Sequence, residues 1–299
     1  MSLDLKSLEL FVRAAFLGAI GKAGAEVGLS RTAATQRIQS LETDVGVQLF
    51  HRTTRRLSLT SDGETFLGHA KRILDNVDEA LSETQRDPRA IKGELRIASS
   101  ASFGRRHIAP YVSEFLDEHP GVSIQLSLND MVVDLVNGGF DLSIRLGELA
   151  PSSLKARRLA ASPRIVVAAP TYLAGHDMPK APEELINHNC LVRGDARAWK
   201  LRDPDGKVRD YKATGNFASN SAEAITEAAR AGLGIARKCK WEVTEELAAG
   251  TLIQIFEEYT VMPEWSVFAV RSPSRHLPAR VREFIEFLRE KLQSEPSLT

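Results

Sequence analysis

The stretch LSRTAATQRIQSLE, residues 29 to 42, limits what this chain can fold into more than any other segment. Ala34, Ile38, Leu41 and Val45 recur at spacings of three and four, which on a helix lines up one buried face. The opposite face carries Thr32, Thr35, Gln36 and Gln39, flanked by Arg31 and Arg37. A helix that needs only to be soluble gains more from Glu–Lys pairs. Small hydroxyls, amides and guanidinium groups are instead the side chains that bond phosphates and base edges.

The neighbours of this helix fit the same reading. Leu5, Leu8, Phe11, Val12 and Ala15 predict an amphipathic first helix that stops at Gly18, and a short second helix is expected from about Lys22 to Val27, ending at Gly28. Ser30 stands where an N-cap belongs, opening a third helix from Arg31 to about Asp44 that Gly46 closes. Two helices joined by the tight VGLS turn have helix-turn-helix spacing. LFHRTTRRLSLT then alternates apolar and polar around a basic centre, predicting two short strands with Thr53, Thr54 and Arg55 at the tip of a wing and His51 packed inside.

The formal net charge of zero says nothing against a nucleic-acid partner, because local clustering decides that. Between residues 31 and 59 the arginines at 31, 37, 52, 55 and 56 face only Glu42 and Asp44, whereas residues 61–87 are acidic. That acidic segment predicts a long helix opened by a capping box of Ser61 and Glu64. Leu67, Ala70, Leu74, Val77 and Leu81 give it a coiled-coil seam that calls for a partner helix; the alternative is that the seam packs back on its own domain. Asp87-Pro88 ends the helix and Lys92-Gly93 makes a hinge.

Beyond the hinge, strands alternate with helices. ELRIASS, a helix from about Arg105 to His119, VSIQLSL, a helix near Val132 to Asn137 and FDLSIRL form a first set. PRIVVAAP, CLVR, WKLRD, KATGNFASN and a helix from Ala222 to Ala231 form a second. Such alternation predicts parallel βαβ units. EWSVFAVR and a helix from about Pro278 to Leu292 are expected to return to the first of two α/β lobes, with a cleft between them.

Bulk properties remove several classes. With 299 residues and 43% hydrophobic content the chain can bury more than one core. No apolar run approaches the roughly 20 residues that cross a bilayer, and the opening MSLDLK lacks the regions of a signal peptide, so no membrane partner and a cytoplasmic location are expected. Cys190 and Cys239 lie far apart and read as buried apolar side chains, and the seven histidines show no metal spacing. Walker A, HExxH, GxSxG and complete GxGxxG motifs are missing, so neither an enzyme nor a cofactor is expected.

The segment LELFVRAAFLGAIGKAGAEVGLSRTAATQRIQSLETDVGVQLFHRTTRRLSLTSDGE closely resembles the winged helix-turn-helix of the LysR-type transcriptional regulators, and the likeness continues to the C-terminus. FGRRHIAP, DLVNGGFDLSIRLGEL, SSLKARRL and HNCLV are more narrowly similar to the subgroup that includes regulators of tartrate and malate utilisation. The resemblance implies a DNA-binding domain over residues 1–60, a dimerising linker helix and hinge over 61–92, and an effector-binding domain over 93–299 resembling periplasmic binding proteins. In the last, lobe I takes about 93–162 and 266–299, and lobe II about 163–265. It also implies a homodimer paired through the linker helices, a homotetramer of two such dimers, double-stranded DNA and a small-molecule co-inducer. Ser30, Arg31, Thr32, Thr35, Gln36 and Arg37 match the recognition helix, and Arg52, Thr53, Thr54, Arg55 and Arg56 the wing. The chain departs from many members at Thr35-Gln36-Arg37, at Gly21 and Gly24 in the second helix, and at Arg237-Lys238-Cys239.

Ligands of α/β sheets bind beyond the carboxyl ends of the strands. That rule points to Ser99, Ser100, Ser102 and the start of the following helix, to Arg145 at the end of the third strand, and to Asn220 and Ser221 from the second lobe. Arg237 or Lys238 would add positive charge, favouring a carboxylate or hydroxy acid. Against a regulator stand a solute-binding protein or an enzyme using the same cleft, both poorly matched to a basic, winged N-terminus.

Overall fold

The computed structural model describes residues 4–52, 57–85, 91–130, 135, 138–194, 197–273 and 277–298. The chain divides into two compact units, Met1–Lys92 with Ser274–Arg280, and Gly93–Pro273 with Val281–Thr299.

The first unit opens with α1 (Leu5–Leu17), α2 (Ile20–Glu26) and α3 (Arg31–Val45). Asp4 caps α1 by accepting from the Ser7 amide at 2.9 Å, and Ser30 caps α3 by accepting from the Ala33 amide at 3.2 Å. Gly18 and Gly46 end α1 and α3 in the left-handed conformation. Strands β1 (Phe50–Arg52) and β2 (Leu57–Leu59) pair antiparallel as the wing, and α4 (Ser61–Gln85) follows. Phe11 anchors the core between Phe50 and Phe66, with ring centroids 5.2 and 5.3 Å away. Glu42 reaches past the end of α3 to accept from the Leu49 and Phe50 amides, fixing the wing on the helix.

Three details differ from the sequence expectations. His51 is exposed, because register places it opposite Ser58 on the outer face of the wing. Thr60, not Ser61, caps α4: its hydroxyl accepts from the Gly63 amide at 2.9 Å, leaving Ser61 as the first helical residue. Ala70 is fully buried in the core of its own unit, with Leu67 and Leu74 packed against it. The first half of the presumed seam therefore serves this domain. Gly24 also has a purpose, since a Cβ there would lie 2.6 Å from that of Ala34. The close approach of α2 and α3 offsets the roughly 1 kcal/mol that an internal glycine costs a helix.

Among its described residues the second unit holds two five-stranded sheets and one of three strands. It runs β3 (Lys92–Ser99), α5 (Ala101–His107), α6 (Val112–Glu118), β4 (Gly121–Leu128), β5 (Leu142–Gly147) and β6 (Lys155–Ala161) through the first lobe. It continues through β7 (Arg164–Ala168), α7 (Pro170–Ala174), β8 (Cys190–Arg193), β9 (Ala198–Arg202), β10 (Val208–Lys212), β11 (Ala218–Ser219), α8 (Ala222–Arg230), β12 (Ile235–Cys239), α9 (Thr244–Ala248), β13 (Ile253–Ile255) and β14 (Thr260–Met262). Finally β15 (Ser266–Arg271) and α10 (Ala279–Gln293) complete the chain order.

The first sheet has the order β4-β3-β5-β15-β6 and the second β11-β8-β12-β7-β13. The expected parallel pairs exist in β3–β5, β8–β12 and β8–β11. Both sheets nevertheless contain antiparallel pairs. β15 runs against β5 and β6, and β7 against β12 and β13. In each sheet the reversed strand is the one that follows a crossover from the other lobe, with no helix to restore its direction. The helix predicted from Arg105 to His119 begins at Ala101 and breaks near Pro110, whose missing amide leaves only a 3-10 turn, Ala109–Tyr111, between α5 and α6. β6 was not foreseen, and the helix expected near 132–137 lies outside the described residues.

Candidate nucleic-acid interface and effector cavity

On α3, Arg31, Thr32, Gln36 and Gln39 are exposed while Ala34, Ile38 and Leu41 are buried. Core packing behind the helix thus determines which polar groups project. Ser30, also exposed, holds the first turn. The Thr35 hydroxyl donates to the Arg31 carbonyl at 2.9 Å. Arg31 lays its aliphatic stem over Gly21, where an added Cβ would come within 3.2 Å of it, so the second departure in α2 gives this arginine its path.

Arg37 differs from its neighbours. Its Nε donates to the Ser7 hydroxyl at 3.0 Å and its guanidinium pairs with Asp4 at 3.3 Å. The residues capping α1 therefore hold it, and Asp4 in turn is held below the usual carboxylate range, first by the Ser7 hydroxyl and further by Arg37. Arg52 ends β1 with its side chain outside those described, as are Thr53, Thr54, Arg55 and Arg56.

In the second unit a cavity of about 540 Å³ opens where β3, β5 and β12 end. Ser99, Ser100, Ser102 and Arg145 line it as expected. Arg193, Asp130, Glu242, Trp241 and Trp265 line it too, and sequence reasoning missed all five. Asn220 and Ser221 are not among its walls: Ser221 caps α8, accepting from the Ala224 amide at 3.3 Å. Arg237 also lies elsewhere, its guanidinium 5.7 Å from the Trp199 ring. Alternation along β12 sends the next side chain to the other face. There Lys238, 2% exposed, donates to the Ala222 carbonyl at 2.6 Å and pairs with Glu242 at 3.2 Å.

The start of α5 was expected to receive an anion. Asp130 already supplies one, accepting from the Ala101 amide at 3.0 Å. The rest of the wall sets apolar Leu146, Leu149, Leu154 and both tryptophans beside the polar Asn129, Ser143, Glu148 and Ser152. Burial pushes the thiols of Cys190 and Cys239 up to about 12, so neither is a nucleophile near neutral pH.

The cavity floor is joined to the crossovers between lobes. Trp241 Nε1 donates to the Ser162 hydroxyl at 3.1 Å, the Ser162 amide to the Trp265 carbonyl at 2.9 Å, and the Lys240 amide to the Pro163 carbonyl at 2.8 Å. Arg164 stacks 4.1 Å from the Trp265 ring, and its burial there lowers its pKa to about 10. Across the cleft, Trp241 meets Phe103 and His107 edge-on, and Arg105 and Arg106 of α5 pair with Glu223 and Glu245.

A winged helix-turn-helix with an outward polar helix face, followed by a two-lobed α/β domain around a cavity, defines a ligand-responsive DNA-binding regulator. Residues 5–64 match the family of bacterial regulatory helix-turn-helix proteins of lysR type, and residues 88–293 the LysR substrate binding domain. The chain is 36% identical to the HTH-type transcriptional regulator DmlR of Escherichia coli, over 96% of this chain and 93% of that protein. It is 31% identical to the HTH-type transcriptional activator TtdR of the same species, over 95% and 92%. Among solved structures, CrgA, a LysR-type regulator from Neisseria meningitidis, is 30% identical with a TM-score of 0.61, covering 97% of this chain and 99% of that one. The Vibrio cholerae virulence activator AphB is 27% identical with a TM-score of 0.59, over 96% and 98%. The chain belongs to the LysR family of transcriptional regulators, whose relatives here are regulators rather than enzymes. No helix among the described residues is long and apolar enough to cross a membrane.

Proposed function

We propose that the outer face of α3 reads a major groove while the cavity of the second unit senses a small carboxylate or hydroxy acid. The observation that carries the first half is the exposed row of Arg31, Thr32 and Gln36 over a fully buried apolar face. Gln36 pairs with adenine and Arg31 with guanine, each good contact giving about 1–3 kcal/mol of discrimination. Thr35 and Ser30 line the approach, and the wing residues Arg52 to Arg56 reach a phosphate or the adjacent minor groove. Arg37 has a positioning role, holding α1 against α3. Residues 1–60, 61–92 and 93–299 divide the work into binding, pairing and sensing.

The chain acts as a homodimer paired through α4, and two dimers form a tetramer. Ile73 on α4 and Phe16 on α1 support this, as large apolar side chains that are 38% and 40% exposed. Effector binding shifts DNA affinity through a difference in affinity for two arrangements of the assembly.

For the cavity, Ser99, Ser100, Ser102 and Arg145 supply hydroxyls and a cation at one wall and Arg193 a cation at the other. Thermal-shift titration of the full chain with tartrate, malate and other small carboxylates tests this, since a ligand selective for the native state raises the melting temperature by mass action. A saturable rise with one of them is expected; no rise with any refutes the carboxylate assignment.

A further inference from the structure

Two buried polar atoms of the cavity walls make no hydrogen bond, one from each lobe. Ser99, 3% exposed at the end of β3, has a hydroxyl with no hydrogen bond. Glu242, whose side chain is 6% exposed, uses only one oxygen: Oε2 accepts from the Cys239 amide at 2.8 Å and pairs with Lys238 at 3.2 Å. Its Oε1 has no hydrogen bond, and Arg193 pairs with it only at 3.9 Å, beyond hydrogen-bond reach. Native interiors rarely leave such atoms orphaned, and a site built to bond a ligand hydroxyl rejects the analogue that lacks it.

Building on the effector reading, we propose that Glu242, with Ser99 opposite, selects a carboxylate that carries a hydroxyl group. The ligand hydroxyl donates to Glu242 Oε1 and its carboxylate faces Arg193. A hydroxyl suits this position better than an ammonium group because Lys238 and Arg193 already pair with the single charge of Glu242, so a third cation would go uncompensated. Neither orphaned atom is reached by water in this conformation, so the walls part slightly to admit the ligand. Glu242 belongs to the same 3-10 turn as Trp241, Lys240–Glu242, and that turn is bonded to both Ser162 and Pro163. Meeting the ligand there transmits its presence to the crossover.

Calorimetric titration of the full chain with malate and with succinate, its deoxy analogue, tests the selection. Wild-type protein is expected to bind malate about tenfold or more tightly than succinate, the range of a charge-assisted hydrogen bond. Glu242→Gln puts an amide in place of the acceptor and should collapse that preference. Because Gln also leaves Lys238 without its counter-charge, Ser99→Ala provides the second variant. It removes only an unbonded hydroxyl, so it should keep the wild-type melting temperature while malate affinity falls several-fold and succinate affinity holds. Equal binding of malate and succinate by wild-type protein overturns the selection and leaves the cavity as an effector site. A malate preference unchanged in both variants overturns the assignment to these residues. Absence of binding by either acid overturns the selection, and if other small carboxylates also fail, the effector reading with it.

Discussion

The recognition face of α3 and the walls of the cavity are both polar surfaces backed by apolar packing, yet they are built in opposite ways. On α3, residues within two turns of one helix project together, and their outer atoms stay in solvent. In the cavity, Ser99, Arg145, Arg193, Glu242 and Trp265 come from five separate segments, and bonds within the domain consume most of their polar neighbours. A surface of the first kind is defined by helix geometry alone. One of the second kind depends on strand register and on how the chain crosses between lobes.

The largest expected effect tests whether packing behind α3 sets that surface. A Cβ at Gly63 would sit 2.0 Å from the Leu49 carbonyl oxygen, so Gly63→Ala must displace α4 or the wing. We expect a loss of about 3 kcal/mol in urea unfolding; wild-type stability would show that the approach is not as tight as described.

Next come the projecting groups. Gln36→Ala should cost about 1–3 kcal/mol of binding to a specific duplex, a factor of about five to about 150, with nonspecific affinity unchanged in fluorescence anisotropy. Arg37→Ala sharpens the contrast. By losing its bonds to Ser7 and Asp4 it should lower unfolding stability by about 1 kcal/mol while leaving base preference intact. A change in base preference without a stability change would return Arg37 to the reading face.

On the cavity side, Ser162→Ala leaves the Trp241 ring intact but removes the wholly buried hydroxyl that accepts from its Nε1, and should cost about 1 kcal/mol in thermal unfolding. The effect that is smallest near neutral pH concerns protonation. Burial between Phe103 and Trp241 lowers the His107 pKa from 6.5 to about 4, so the fold favours neutral imidazole. Its contribution is complete above pH 6.5 and declines as pH falls toward about 4, by at most about 1.4 kcal/mol per pH unit, because the unfolded chain takes the proton first. His107→Phe should flatten this part of the stability profile; an unchanged slope would place the titration elsewhere.

What could be read from the residues follows the same division. Ser30, Gly18, Gly46 and the apolar row of α3 announced the helices, because caps and 3.6-residue periodicity are local. Spacing could not show that Asp4 and Ser7 fold back to hold Arg37. The α4 seam left two readings open for a related reason: Leu67, Ala70 and Leu74 have the spacing of a coiled coil and equally the spacing of a helix packed on its own domain. In the second unit, the end of β3 and Arg145 were accessible through the rule for α/β sheets. Trp241, Glu242 and Trp265 were not, because they gather at the crossovers. Asn220, Ser221 and Arg237 fell away from the cavity once the cap of α8 and the alternation along β12 were visible.

The most direct test is anisotropy titration of the intact chain onto a duplex enriched from random sequence by the wild-type protein, beside a scrambled duplex, with Gln36→Ala in parallel. If α3 reads the groove, wild-type protein prefers the enriched duplex by a thousandfold or more, on the order of other specific regulators, and Gln36→Ala loses about fivefold or more of that preference while binding the scrambled duplex as before. Equal affinity of the wild type for both duplexes, or a Gln36→Ala variant with its preference intact, would contradict the account.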